Sequence, residues 1–71
     1  MDEKDLDNRF TYHKPHGFQA LRYEMIRDSA RNFAEQVNER CPDSREKSLA
    51  VTHLEEAVMW ANASIARNEH A

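Results

Sequence analysis

Between two apolar runs of helical period stands Cys41-Pro42-Asp43-Ser44. Pro42 lacks the N–H that a helix interior needs and pushes Cys41 into extended backbone, so a helix must end at about Arg40. Asp43 is a good N-cap, and Glu46 three residues on can reach back, which predicts a second helix from about Ser44. Upstream, Tyr23, Ile26, Ala30, Phe33 and Val37 recur at spacings of three and four, so they share one helix face. Downstream, Val51, Leu54, Val58, Ala61 and Ile65 do the same. Neither run contains glycine or proline. The predicted fold is all-α: an antiparallel two-helix hairpin within residues 18–71, with helices at about 18–40 and 44–67.

Residues 1–17 read as an N-terminal arm, closed off by the breakers Pro15 and Gly17. The whole chain has 71 residues, of which Leu, Ile, Val and Phe make up 12. One core in so short a chain seldom supplies more than about 3–5 kcal/mol without a staple. Cys41 is the single cysteine, so no internal disulfide is available. A lone thiol suits a reducing compartment. This shortage of core points to self-association and excludes a large single-chain enzyme. The second helix supports that reading. Leu49, Trp60 and Arg67 project together on the face opposite the seam, with His53 and Glu56 beside them. Phe18, Leu21 and Met25 likewise sit off the seam of the first helix. A second apolar stripe asks for a second burial partner.

Charge is unevenly distributed. The net charge of −3 hides a segment, residues 9–31, in which Arg9, Lys14, Arg22, Arg27 and Arg31 outnumber Glu24 and Asp28. The flanks are acidic, which disfavours general DNA or RNA binding, since that needs many phosphate contacts. No apolar run approaches the roughly 18–20 residues of a membrane span, and the acidic start, Met1 to Asp7, lacks the layout of a secretion signal.

Few residues could carry covalent chemistry. His13 and His16 are close, but no cysteine or histidine pair completes a tetrahedral metal set with them; Cys41, His53 and His70 lie far along the chain. Glu55 and Glu56 are adjacent, so on a helix they diverge by about 100° and cannot flank one bond. Cys41 and His53 have no evident orienting group. One glycine forbids a glycine-rich phosphate loop. The expectation is no enzyme, no metal and no cofactor. Binding a small anion is more natural: Phe10 and Tyr12 can stack on a base, and Arg27 and Arg31, one turn apart, can reach a phosphate. Equally, Tyr12 can dock the arm on the hairpin, and Arg27 can pair with Glu24 or stay solvated.

Two stretches tip this balance. Arg9-Phe10-Thr11-Tyr12-His13-Lys14-Pro15 precedes the first helix. Cys41-Pro42-Asp43-Ser44-Arg45-Glu46-Lys47-Ser48-Leu49-Ala50 leads into Leu54-Glu55-Glu56-Ala57-Val58-Met59-Trp60-Ala61-Asn62-Ala63-Ser64-Ile65-Ala66-Arg67-Asn68. Together they resemble the phage anti-CBASS cyclic-oligonucleotide sponges, a family that shares its hairpin domain with the phage sponge that counters Thoeris defence. The resemblance covers most of residues 9–68. It implies a helical hairpin that forms a dimer and then a hexamer, a trimer of dimers, in the host bacterial cytoplasm. It implies binding of cyclic dinucleotides and cyclic trinucleotides without cleavage, so that immune effectors are starved of their activator. By the same resemblance Tyr12 is the base-stacking aromatic and Arg27 the phosphate-binding cation of the dinucleotide pocket, with Phe10 and His13 as walls. Arg67 and Ser29 belong to the trinucleotide site. The competing reading is a helical-bundle module that binds another protein through the Trp60 stripe and takes no nucleotide.

Overall fold

A computed structural model describes residues 1–69; His70 lies outside the described residues. Three helices follow in order: α1, Glu3–Phe10; α2, Gln19–Arg40; α3, Arg45–Asn68. No strand occurs among the described residues. The two long helices start and end within one residue of the expected bounds.

The turn works as its residues require, with one correction. Cys41 is extended (φ −107°, ψ 137°), as the following proline demands, and its N–H closes the last turn of α2 on the Val37 carbonyl at 3.0 Å. The cap of α3 is Ser44 rather than Asp43: Ser44 Oγ accepts from the Lys47 N–H at 3.1 Å. With the cap one residue later, the Asp43 carboxylate is released to accept from Lys47 Nζ at 2.9 Å. That bond holds the Asp43 carboxyl below its ordinary range. The same Nζ donates to the Asn38 carbonyl at 2.9 Å, stapling the start of α3 to the end of α2. Only 12% of the Lys47 side chain stays exposed, so the staple is packed into the corner of the hairpin.

The arm is the second correction, because it contains a helix that the apolar pattern did not announce. Asp2 caps α1 by accepting from the Asp5 N–H at 3.1 Å. Glu3 and Asp5 lie in its first turn and Arg9 in its last, an arrangement that suits the helix dipole. Arg9 also lies 3.7 Å from Asp5, one turn back. The signal is capping and charge rather than periodicity, and an eight-residue helix is too short to show a seam. After α1 the chain turns through Gly17, whose φ of +56° is the left-handed conformation glycine adopts at little cost.

α2 packs against α3 in an antiparallel pair, and this is the one extensive contact between helices among the described residues. Lys47 ties the pair at the turn, and Glu69 ties it at the open end through Gln19 and Arg22. The result is a ribbon one helix thick: its extents are 45 × 30 × 13 Å, and a helix with its side chains is about 10–12 Å across. A single layer has nothing to close over its seam. Accordingly no hydrophobic residue is fully buried among the described residues, and Ile26, Ala30, Val37, Leu54, Val58, Ala61 and Ile65 are half-buried. The radius of gyration is 15.4 Å, against about 11 Å for a compact chain of this length.

Candidate functional site

The ribbon offers two faces and one end. On the first face a groove of about 440 Å³ runs along the seam. Val51, Leu54, Val58 and Ala30 form its floor, with Arg27 and Arg31 on the α2 rim and Glu55 and Met59 on the α3 rim. Arg31 is engaged one turn along its own helix, with Nε 3.2 Å from the Glu35 carboxylate. Arg27 has no ion-pair partner among the described residues and does not pair with Glu24. Asn62 Oδ1 is buried against this groove without a donor. A buried amide oxygen left so is costly until something donates to it.

The opposite face is almost wholly apolar. Ile26, Phe33, Leu54, Ala57 and Ala61 line a shallow cavity of about 380 Å³, with Ser29 beside them. Ala30, Leu54 and Val58 touch both cavities, which is what a one-layer seam requires. Phe33 keeps 55% of its surface exposed here. The second stripe expected from the projection is also in solvent: Trp60 is 67% exposed, and Leu49, His53 and Glu56 are exposed with it. Arg67, expected in that stripe, is instead half-buried.

At the open end the arm meets the termini of the hairpin. Tyr12, His13, Lys14, His16, Gln19 and Glu69 surround a polar recess of about 240 Å³. Glu69 follows the last turn of α3 and takes both terminal nitrogens of Arg22, Nη1 to Oε2 at 2.8 Å and Nη2 to Oε1. Gln19 Nε2 donates to the same carboxylate at 3.2 Å. The Arg22 bond, then the Gln19 bond, pull the Glu69 carboxyl down to about 2. Bonding to Glu69 in turn raises Arg22 above its ordinary value. On the other flank of Tyr12, His13 Nε2 donates to the Asn8 carbonyl at 2.8 Å. A carbonyl only accepts, so this ring carries its proton on Nε2.

The residues singled out from sequence are therefore dispersed. Tyr12 (81% exposed) and Phe10 stand in solvent at the arm, and His13 is half-buried beside them. Arg27 lies on the first groove and Ser29 beside the opposite cavity. Arg67 sits in the last turn of α3, near the end of the hairpin where α2 starts, whereas Ser29 lies about 15 Å along α2 from that start at 1.5 Å per residue. Among the described residues, Tyr12 and Arg27 line different cavities, and Ser29 lines a cavity that does not include Arg67. Sequence reasoning missed Gln19, Arg22 and Glu69, whose partners stand 47 to 50 residues apart. It also missed Asn62. Periodicity carries no signal for such pairs.

Among comparisons with known proteins, a family model described as the Acb2/Tad1, hairpin domain matches residues 1–66. No curated protein and no solved structure matches the chain.

Proposed function

This chain belongs to the Acb2/Tad1 hairpin-domain family of phage anti-defence sponges, and on that premise we propose that it sequesters cyclic oligonucleotide messengers without cleaving them. The ligands are cyclic dinucleotides such as cGAMP and, at a second site, cyclic trinucleotides. Binding takes place in the host bacterial cytoplasm and keeps CBASS effectors from their activator. The observation that carries this reading is the family match across 66 of the 71 residues.

The geometry supports a shared site. A cyclic dinucleotide has two phosphates and two base faces. One chain offers one exposed Tyr12 and one uncommitted Arg27, in different places. Two chains supply two of each, which matches the symmetry of the ligand. In this site Tyr12 stacks on a base, a contact that tolerates different bases. Arg27 gives charge-assisted, forked bonds to phosphate. Phe10 and His13 wall the base pocket. Ser29 and Arg67 of different protomers form the trinucleotide site, since one chain keeps them apart.

Assembly has a physical motive as well. The chain exposes 5964 Å², against about 4600 Å² for a compact chain of this mass. The excess of about 1400 Å² exceeds the roughly 800 Å² per partner of an ordinary interface. A dimer of ribbons closes one layer on another, and three dimers make the hexamer. To test the function, load the protein with 3′,3′-cGAMP, remove free nucleotide, digest the protein and assay what is released. The expected result is stoichiometric, intact cGAMP. Absence of retained nucleotide, or recovery of linear product, would overturn the reading. The competing protein-interaction reading predicts no retention of any cyclic nucleotide and loss of activity on Trp60→Ala but not on Tyr12→Ala.

A further inference from the structure

We infer that Arg22, Gln19 and Glu69 form a clasp that positions the arm for nucleotide binding, an inference that rests on the role proposed for Tyr12. Tyr12 is fixed by almost nothing of its own, since its ring stands in solvent. Its position depends on its two flanks. On the N-terminal side, His13 Nε2 holds the Asn8 carbonyl and so ties residue 13 to the last turns of α1. On the C-terminal side, everything runs through His16. Its N–H donates to Gln19 Oε1 at 3.1 Å, its carbonyl accepts from the Gln19 N–H at 3.1 Å, and its ring lies 3.4 Å from the Glu69 carbonyl. Apart from these bonds the arm has little to lean on, because α1 makes no extensive contact with α2 or α3.

Gln19 is the hinge of the device. It is the one buried polar residue among those described, at 3% exposure. Both ends of its amide are engaged: the oxygen holds the arm and the nitrogen holds Glu69. An unrestrained amide can turn end for end, exchanging donor for acceptor. Glu69 prevents this, because a carboxylate accepts only from the nitrogen. Glu69 is itself held by the two-pronged Arg22 bond and by its own N–H on the Ile65 carbonyl at 3.2 Å. The order of dependence is thus Arg22, Glu69, Gln19, His16, then the segment carrying Tyr12. Pro15 shortens the freedom of that segment further. A stacking ring on an ordered segment loses less freedom on binding than one on a loose segment, so the clasp raises affinity without touching the ligand. These are positioning residues.

The test pairs a ligand-free readout with a ligand readout on the full chain. Glu69→Gln removes the charge that locks both Arg22 and the Gln19 amide while keeping the side chain's size. The His16 amide should then exchange with solvent roughly tenfold faster or more, as the segment opens locally. Affinity for 3′,3′-cGAMP should fall roughly fivefold or more, because the competent arm position is less populated. Helix content by circular dichroism should match wild type. In a Tyr12→Ala background the same substitution should change affinity by less than about twofold, which a loss of general structure would not produce. Arg22→Met breaks the link from the other side and serves if Glu69→Gln fails to fold. Unchanged His16 exchange, or an equal affinity loss with and without Tyr12, overturns the clasp. Wild-type protein that binds no cyclic dinucleotide overturns the role of Tyr12, and the His16 exchange rate still decides whether the clasp holds the arm.

Discussion

Phe33→Ala separates a ribbon that is stable alone from one that is completed by a second copy. Truncating a phenylalanine in a closed core costs about 3–5 kcal/mol. Phe33 keeps 55% of its surface in water within one chain, so an isolated ribbon has only about 1.5–2 kcal/mol to lose there. If another ribbon covers the face, the full core value returns for each chain. The assay is thermal unfolding at two protein concentrations a hundredfold apart. For a dimer, that dilution removes about 2.7 kcal/mol per assembly by mass action, or about 1.4 per chain. In a domain of this size that is a fall in Tm of roughly 5–10 °C. Wild type should show this fall, and Phe33→Ala should unfold at the lower concentration. A wild-type Tm independent of concentration, with Phe33→Ala costing no more than about 2 kcal/mol, would show that the ribbon is stable without a second copy.

Further outcomes follow from single contacts. Tyr12→Ala should weaken cyclic dinucleotide binding by the loss of stacking, about 1–3 kcal/mol per base, measured by titration calorimetry. Arg27→Lys should bind more weakly than wild type at equal ionic strength, because the ammonium keeps the charge but loses the fork; Arg27→Ala should be weaker still. Ser44→Ala should cost about 0.5–2 kcal/mol in urea unfolding through loss of the α3 cap, whereas Asp43→Ala keeps that cap and should cost less. The Glu69 carboxyl is held down to about 2 in the fold. A depressed carboxyl stabilises fully above its unfolded value, and that share is lost as pH falls toward about 2. Wild type should therefore melt above Glu69→Gln near neutral pH, and the gap should close between about pH 4.5 and pH 2.

The hairpin was legible because its signals are local and redundant. Pro42 ends one helix, a capping residue starts the next, and ten seam residues keep one period on each side. The cap itself was misplaced by one residue because Asp43 and Ser44 are both able to cap. What decides between them is Lys47, which takes the Asp43 carboxylate with its ammonium and the Ser44 oxygen with its N–H. Helix α1 was missed because its eight residues are stabilised by charge placement rather than by a buried stripe. The exposed Trp60 and Leu49 were foreseen by projection. Arg67, in the last turn of the same helix, is half-buried where Trp60 and Leu49 are exposed, a difference that projection on one helix does not register. The Gln19–Glu69 link lay beyond sequence reasoning altogether: it joins residues 50 apart through bonds that leave no periodic trace.

Capture without turnover leaves the bound messenger recoverable. Protein loaded with 3′,3′-cGAMP, freed of unbound nucleotide and then digested should release intact cyclic nucleotide in a fixed ratio to chains, able to reactivate a cGAMP-dependent effector. Release of linear nucleotide, or no retained nucleotide at all, would contradict it.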